Sequence, residues 1–124
     1  MLTSLPVRRP RRGKQSQAYF EALHDKYHAW GRRFKFSGER RMWSSYLPSH
    51  PKFIRLRKPP PPGSMYHKHG NVIARLELLT SLICFTYALW CKDVGKGHCN
   101  VNSWISWEPF RDMVKQEWMA GLSD

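Results

Sequence analysis

Acidic residues are scarce in this sequence, which has 9 Asp and Glu against 21 Lys and Arg and a formal net charge of +12. The surplus is one-sided, because 15 of the cations but only 3 of the acids precede Pro59. A local basic excess indicates an anionic partner, either a nucleic acid or an acidic membrane surface. A solubilising basic tail is the alternative that the composition leaves open.

Motifs of the common catalytic and phosphate-binding sites are missing. The sequence has no Gly-x-Ser-x-Gly turn, which carries the nucleophile of many hydrolases, and no G-x-x-x-x-G-K-[ST] phosphate loop. Its few carboxylates are scattered along the chain. We therefore expect a protein that is not an enzyme and that needs no cofactor.

Cysteine is also rare, and Cys84, Cys91 and Cys99 are the three that occur. A spacing of seven puts Cys84 and Cys91 about 10 Å apart along a helix, too far for an unstrained disulfide. An odd count without an N-x-S/T sequon favours a reducing compartment. Cys91, His98 and Cys99 lack the C-x2-4-C spacing of zinc sites, so we expect no bound metal and treat the cysteines as packing residues.

Long apolar runs are absent as well, and no secretory signal is recognisable. The longest uncharged apolar run, 78–91, has 14 residues, against about 20 in a transmembrane helix. We expect neither a membrane span nor a membrane partner. Binding to an anionic membrane surface is kept as an alternative function, which vesicle binding would test.

The sequence does contain a long segment with helical periodicity, directly after four prolines at 59–62. Apolar spacings of three, four and seven predict a central helix over 65–91. Further leucines widen the apolar stripe, so we expect this helix to lie at the centre of a core. The residues that define the stripe are Val72, Ile73, Leu76, Leu79, Ile83 and Trp90.

Two further helices are predicted on either side of the central one. Ser16 is expected to cap a helix over 16–33, and Ser106 a helix over 106–120 with Pro109 in its first turn. Segment 34–36 alternates like a short strand. The expected fold class is all-α, a small helical bundle. Four residues from the least regular part of the chain are expected to pack on the central helix: Trp43, Tyr46, Phe53 and Leu56.

Composition divides the chain into four parts. Residues 1–14 predict a basic, disordered arm, because Arg and Lys alternate there with Pro and Gly. Residues 15–58 form a basic, aromatic-rich helical segment. A proline linker at 59–63 separates it from a helical hairpin core at 64–124, which is either complete or part of a larger domain.

Arginines beside aromatic residues predict contact with RNA or DNA. Cations bind phosphates in a salt-sensitive way, and exposed aromatic rings stack on bases. Core aromatics beneath a solvated rim of arginines would give the same pattern. The predicted nucleic-acid contacts are Arg8, Arg9, Arg11, Arg12, Arg32, Arg33, Arg40 and Arg41. One side of the last helix is predicted to face a protein partner, with Phe110, Val114 and Trp118.

The central helix carries a pattern, M-x2-K-x-G-x5-L-E-x3-S-x-I-x4-A-L, that resembles the C-terminal homology domain of the AF-four/FMR-two family. The segment 55–58, R-L-R-K, is similar to the R-L-K-H that precedes this helix in the family. The resemblance covers about residues 52–115. It implies a tetratricopeptide-like helical domain that self-associates, can contact nucleic acid and belongs to a nuclear scaffold of the super elongation complex. The matching residues are Met65, Lys68, Gly70, Leu76, Glu77, Ser81, Ile83, Ala88 and Leu89.

Together these observations predict a non-catalytic nuclear scaffold for transcription elongation. Its expected partners are proteins of a nuclear complex, a second copy in a homodimer, and RNA or DNA bound without sequence specificity. The alternative is a basic structural subunit of a ribonucleoprotein, such as an organellar ribosomal protein. Nuclear or mitochondrial localisation of the tagged full-length protein separates the two.

Overall fold

The computed structural model describes residues 15–122, which form three α-helices joined by two connections. The helices are α1 (Gln17–Ser44), α2 (Met65–Lys96) and α3 (Val101–Leu122). No strand occurs among the described residues, which confirms the predicted all-α class. The predicted basic arm, 1–14, lies outside the described residues.

The first helix begins where the sequence predicts but ends at Ser44 instead of near residue 33. The Ser16 hydroxyl accepts a hydrogen bond from the Tyr19 backbone N–H at 3.1 Å, which confirms the predicted N-cap. No proline occurs between 17 and 44 to stop the helix. The strand-like reading of 34–36 is wrong, because contacts with α2 outweigh a local β preference.

α1 and α2 pack antiparallel and close together, because small residues line their contact. A Cβ added to Gly31 would lie 2.7 Å from the Phe85 ring, and one added to Gly38 would lie 3.0 Å from the Leu78 side chain. Between these points the Ser81 hydroxyl donates a hydrogen bond to the Gly31 carbonyl oxygen at 2.6 Å. Larger side chains at either glycine would push the two helices apart.

The second helix is longer than predicted, since it continues past residue 91 to Lys96. Its N-cap is Ser64, whose hydroxyl accepts a hydrogen bond from the Tyr66 N–H at 3.3 Å. It ends at Gly97, which has a φ of 75° and donates its N–H to the Asp93 and Val94 carbonyls. Only glycine adopts this left-handed conformation without a steric cost, so Gly97 defines the end of α2.

The third helix starts earlier than predicted, at Val101, so Pro109 lies inside it and Ser106 is not its cap. The Asn100 carbonyl accepts the Ser103 and Trp104 N–H groups at 3.0 and 3.2 Å. Asp93, near the end of α2, accepts further hydrogen bonds from Asn100 and Trp104. These contacts between segments set the start of α3, and they leave no trace in local periodicity.

A cluster of four buried residues from all three helices forms the core: Met42, Ala74, Leu78 and Val114. Trp43 and Tyr46 pack against this cluster as predicted. Phe53 and Leu56 are half-buried and line a depression beside Tyr66 of α2. α1 covers more of α2 than α3 does, and the remaining side of α2 is uncovered among the described residues.

Candidate functional site

The uncovered side of α2 carries a continuous apolar stripe, which we call the outer seam. It corrects the expectation that the strongest apolar periodicity in the sequence marks the core. Of the six residues that define that periodicity, five are 37–60% exposed, and Leu79 alone packs against the core cluster. Ile83 is 60% exposed and Trp90 50% exposed, whereas Ala74 and Leu78 on the opposite side are fully buried. The outer seam consists of Ile73, Leu76, Thr80, Ile83, Tyr87, Trp90 and Val94.

α2 is also long and apolar enough to cross a membrane by length and composition. An 18-residue window within it has a mean hydropathy of 1.6, so run length alone does not exclude a span. A core helix of a soluble protein passes the same criterion, but such a helix is mostly buried. Only 28% of this window is buried.

The predicted partner-facing side of α3 lies against α2 instead. Val114 is 2% exposed and belongs to the core cluster, and Phe110 and Trp118 pack against that cluster. The Phe110 ring also lies 5.7 Å from the Phe85 ring in an edge-to-face arrangement. The prediction of a partner contact here is therefore wrong for the isolated chain, because α2 already covers this side of α3.

The predicted nucleic-acid contacts separate into three groups. Arg8, Arg9, Arg11 and Arg12 lie outside the described residues. Arg32 and Arg33 are exposed on α1, and no ion pair in the described part of the chain involves either of them. Arg40 lies near them, with its guanidinium 4.8 Å from the centre of the Phe36 ring.

Arg41 has a different position from the other predicted contacts. Its guanidinium forms an ion pair with Glu77 of α2 and lies 5.5 Å from the centre of the Tyr66 ring. Both partners are on the second helix, so Arg41 connects α1 to α2. Its charge is compensated within the fold, and we therefore remove it from the candidate nucleic-acid contacts.

Two cation-lined depressions meet at Phe36. The first, about 490 Å³, is lined by Ala29, Arg32, Arg33 and Phe36. The second, about 710 Å³, lies between α1 and the 45–64 connection, and Arg57 and Lys58 contribute to it together with Arg40. Sequence reasoning missed Arg57 and Lys58 as site residues, although the basic segment K-F-I-R-L-R-K before the prolines was the signal that could have identified them.

The Asp93 carboxylate accepts hydrogen bonds from Asn100 and Trp104. Burial disfavours its ionised form, but hydrogen bonds from the Trp104 indole at 2.6 Å and from Asn100 outweigh burial, so the pKa of Asp93 is lowered. These groups join the end of α2 to the start of α3. The role of Asp93 is therefore to hold the turn between the two helices.

The cysteines and histidines do not assemble into a metal site in the described part of the chain. No group of three or more His, Cys, Asp or Glu that could hold an ion occurs among residues 15–122. Cys84 and Cys91 are buried free thiols on α2, and burial raises the pKa of both. A raised pKa keeps a thiol protonated and unreactive at neutral pH, as expected of packing residues.

Comparisons of this chain with protein-family models, with curated proteins and with solved structures found no match. The resemblance to the AF-four/FMR-two family therefore depends on the motif around α2 alone. Two surfaces are the candidate sites of this chain. One is the outer seam of α2, and the other is the cationic face, which consists of Phe36 with Arg32, Arg33, Arg40, Arg57 and Lys58.

Proposed function

We propose that this chain is a non-catalytic helical scaffold, which associates with a second copy through the outer seam of α2 and contacts nucleic acid through α1. The exposure of the outer seam is the observation that carries the proposal. Its six large apolar side chains are between 37% and 60% exposed, in one row that Thr80 interrupts. Contiguous apolar surface of this extent marks an interaction site.

The spacing of the outer seam suits a second helix. Its residues follow one another at alternating intervals of three and four from Ile73 to Val94. This spacing produces the narrow apolar stripe through which two helices pack at a shallow crossing angle. Binding to a flat lipid surface does not require alternating spacings of three and four, so the pattern favours a helical partner.

A second copy of α2 in antiparallel orientation complements the outer seam. If Thr80 faces Ile83 of the second copy, Tyr87 faces Leu76 and Trp90 faces Ile73, so that each large aromatic side chain meets an aliphatic one. An interface with twofold symmetry requires this kind of self-complementarity. At roughly 100 Å² of exposed area per side chain, each copy contributes on the order of 700 Å², close to the 800 Å² per partner of a standard interface.

Charge does not oppose this pairing at the outer seam itself. No Asp, Glu, Lys or Arg belongs to the outer seam, and the surplus of +12 is carried by the chain before Pro59. Repulsion between two basic copies therefore acts at a distance, where salt screens it. Association should become tighter as the salt concentration rises, whereas contact with phosphates should weaken.

The nuclear setting and the link to transcription elongation belong to this proposal through the family resemblance alone. A scaffold of that kind needs a surface for its own association and a separate one for other partners. The outer seam on α2 and the cationic face on α1 provide two such surfaces. Localisation of the tagged full-length protein tests the proposed nuclear localisation, and a mitochondrial signal would refute it.

The association is tested by measuring the molar mass of the full chain in a dilution series by sedimentation equilibrium. We expect the wild type to be a dimer and Ile83→Glu to be a monomer, because a buried unpaired carboxylate is costly at the centre of the interface. Circular dichroism and the melting temperature of dilute Ile83→Glu should match those of the dilute wild type.

Ile105→Glu is the matched control, since Ile105 is 55% exposed on α3 and lies outside the outer seam. It should dimerise like the wild type. A wild type that is monomeric at every concentration would overturn the proposed association. So would a wild type that stays monomeric but binds lipid vesicles in an Ile83-dependent way, because the occupant of the outer seam would then be a bilayer.

A further inference from the structure

The Phe36 side chain is the most unusual part of the cationic face. It is 62% exposed, although Phe34, two residues earlier on α1, is half-buried. A single exposed phenylalanine needs no explanation by itself. Phe36 differs because both cation-lined depressions end at its ring, one towards each end of α1.

Spacing along α1 places cations on both sides of this ring. Arg33 precedes Phe36 by three residues and Arg40 follows it by four, so all three lie on one side of the helix. At 1.5 Å per residue the two arginines are about 10 Å apart along the axis. Arg40 also stacks on Phe36, which holds the ring and one cation in a fixed relation.

The depressions carry positive charge without compensating acids. No Asp or Glu lines either of them, and Arg32, Arg33, Arg57 and Lys58 form no ion pair among residues 15–122. Glu39 and Glu77, the nearest acids on the helices, are paired with Lys35 and Arg41. An anionic chain that crosses Phe36 would therefore meet uncompensated cations before and after the ring.

We infer that this face binds single-stranded nucleic acid, with one unpaired base stacked on Phe36 and the neighbouring phosphates on Arg33 and Arg40 and on Arg57 and Lys58. The inference rests on the nucleic-acid contact in the proposed function and specifies its ligand. Aromatic stacking combined with a cationic track is how proteins bind single strands without reading sequence. A duplex keeps its bases stacked inside, so it offers phosphates to the cations but no base face to Phe36.

The test uses the full chain and fluorescent oligonucleotides without secondary structure, whose binding is followed by anisotropy at several salt concentrations. The wild type should bind the single strand more tightly than a duplex of equal length. Phe36→Ala should weaken single-strand binding between about 5-fold and 150-fold, the range for loss of one stacked base. Its salt dependence should stay that of the wild type, because no phosphate contact is lost.

Two variants provide the comparison. Lys58→Ala should lower the slope of log affinity against log salt by about 0.7 for the single strand and about 0.9 for the duplex, because a phosphate contact is lost. Tyr19→Ala removes another exposed aromatic residue of α1, 44% exposed, and should leave binding unchanged. If Phe36→Ala binds like the wild type, or if Tyr19→Ala loses as much affinity, the stacking site is refuted while nucleic-acid contact survives. If the wild type binds neither the single strand nor the duplex, both the stacking site and the proposed nucleic-acid contact are refuted.

Discussion

The two sides of α2 differ in the size of their side chains, and the difference runs against the usual expectation. The side that faces α1 is lined mainly by small residues, among them Ala74, Ser81 and Ala88, all of them fully buried. The outer seam carries Ile83, Tyr87 and Trp90, which are the large ones. In most soluble helices the large apolar side chains are the ones that are buried.

The reason for this inversion is the close approach of α1 and α2. Gly31 and Gly38 leave room for the Phe85 ring and for Leu78, so the helix axes come close, and most of the other buried residues on this side of α2 are small. Close packing of this kind stabilises through many dispersion contacts, not through the area of a few large side chains. It also leaves the large side chains 38–60% exposed, although the Tyr87 and Trp90 rings contact Tyr27 and Phe20 of α1.

We expect the largest effect on stability from a larger side chain on the side of α2 that faces α1. Ala74→Leu adds three side-chain carbons where Ala74 is fully buried, and we expect a loss of about 1–3 kcal/mol in unfolding free energy. Leucine is nearly as good a helix former as alanine, so propensity cannot account for the loss. Urea denaturation of the dilute protein measures it.

Ala29→Leu is the matched control for this change. Ala29 is exposed on α1, so the same substitution there adds side-chain volume without pressing two helices apart. Its unfolding free energy should remain within about 0.5 kcal/mol of the wild type, as for most surface substitutions. Equal losses in the two variants would contradict the close packing of α1 on α2.

A third side of α2 faces α3, and at the C-terminal end of α2 the polar contacts of Asp93 join the two helices. Because the pKa of Asp93 is lowered in the fold, its ionised form stabilises the protein above the unfolded pKa of about 3.9, and this contribution is lost as the pH falls through the folded pKa. Asp93→Asn should cost about 1–3 kcal/mol near pH 7, where a charged hydrogen-bonded group is lost. The difference from the wild type should shrink below about pH 4.

Thermal melts of both proteins across this pH range measure the effect. Asp112→Asn is the control, because the Asp112 side chain is 57% exposed and pairs with its neighbour Arg111 at the surface. It should change the melting temperature little at any pH. A cost of Asp93→Asn that is independent of pH would contradict the assignment of the ionised carboxylate to the α2–α3 turn.

We expect the smallest effect from a substitution that makes the outer seam more apolar and so changes the affinity of the dimer. Thr80 is its only hydroxyl-bearing aliphatic member, and its hydroxyl is already bonded to the Leu76 carbonyl of the same helix. Thr80→Val should tighten association about threefold to tenfold, since one more apolar group is buried. Thr80→Lys should weaken it, and sedimentation equilibrium measures both. A tighter dimer with lysine at 80 would contradict the proposed orientation.

Local patterns predicted which parts of the chain are helical but not where each helix ends. The Ser16 cap is correct because a cap is made within one turn, from residues that are adjacent in sequence. Beyond residue 33, α1 packs on α2 through Gly38, and the start of α3 depends on the contact between Asp93 and Trp104. Periodicity within a single segment contains no information about such contacts.

The candidate site shows the same division. Exposed Arg32 and Arg33 were recognisable from their setting among aromatic residues, but Arg41 was not distinguishable from Arg40 in sequence. Glu77, which pairs with Arg41, is far along the chain, and the fold brings the two together. Arg57 and Lys58 join the Phe36 side chain for the same reason, because the 45–64 connection returns along α1.

The sequence by itself determined the all-α class, the one-sided positive charge and the apolarity of the central helix, because each is a property of composition or of short-range spacing. The tertiary structure decided which side of that helix is the core. Two apolar sides of one helix have the same period, and contacts with other segments determine which is buried. Gly31 and Gly38 of α1 make room for Phe85 and Leu78, and so bring α1 against one side of α2.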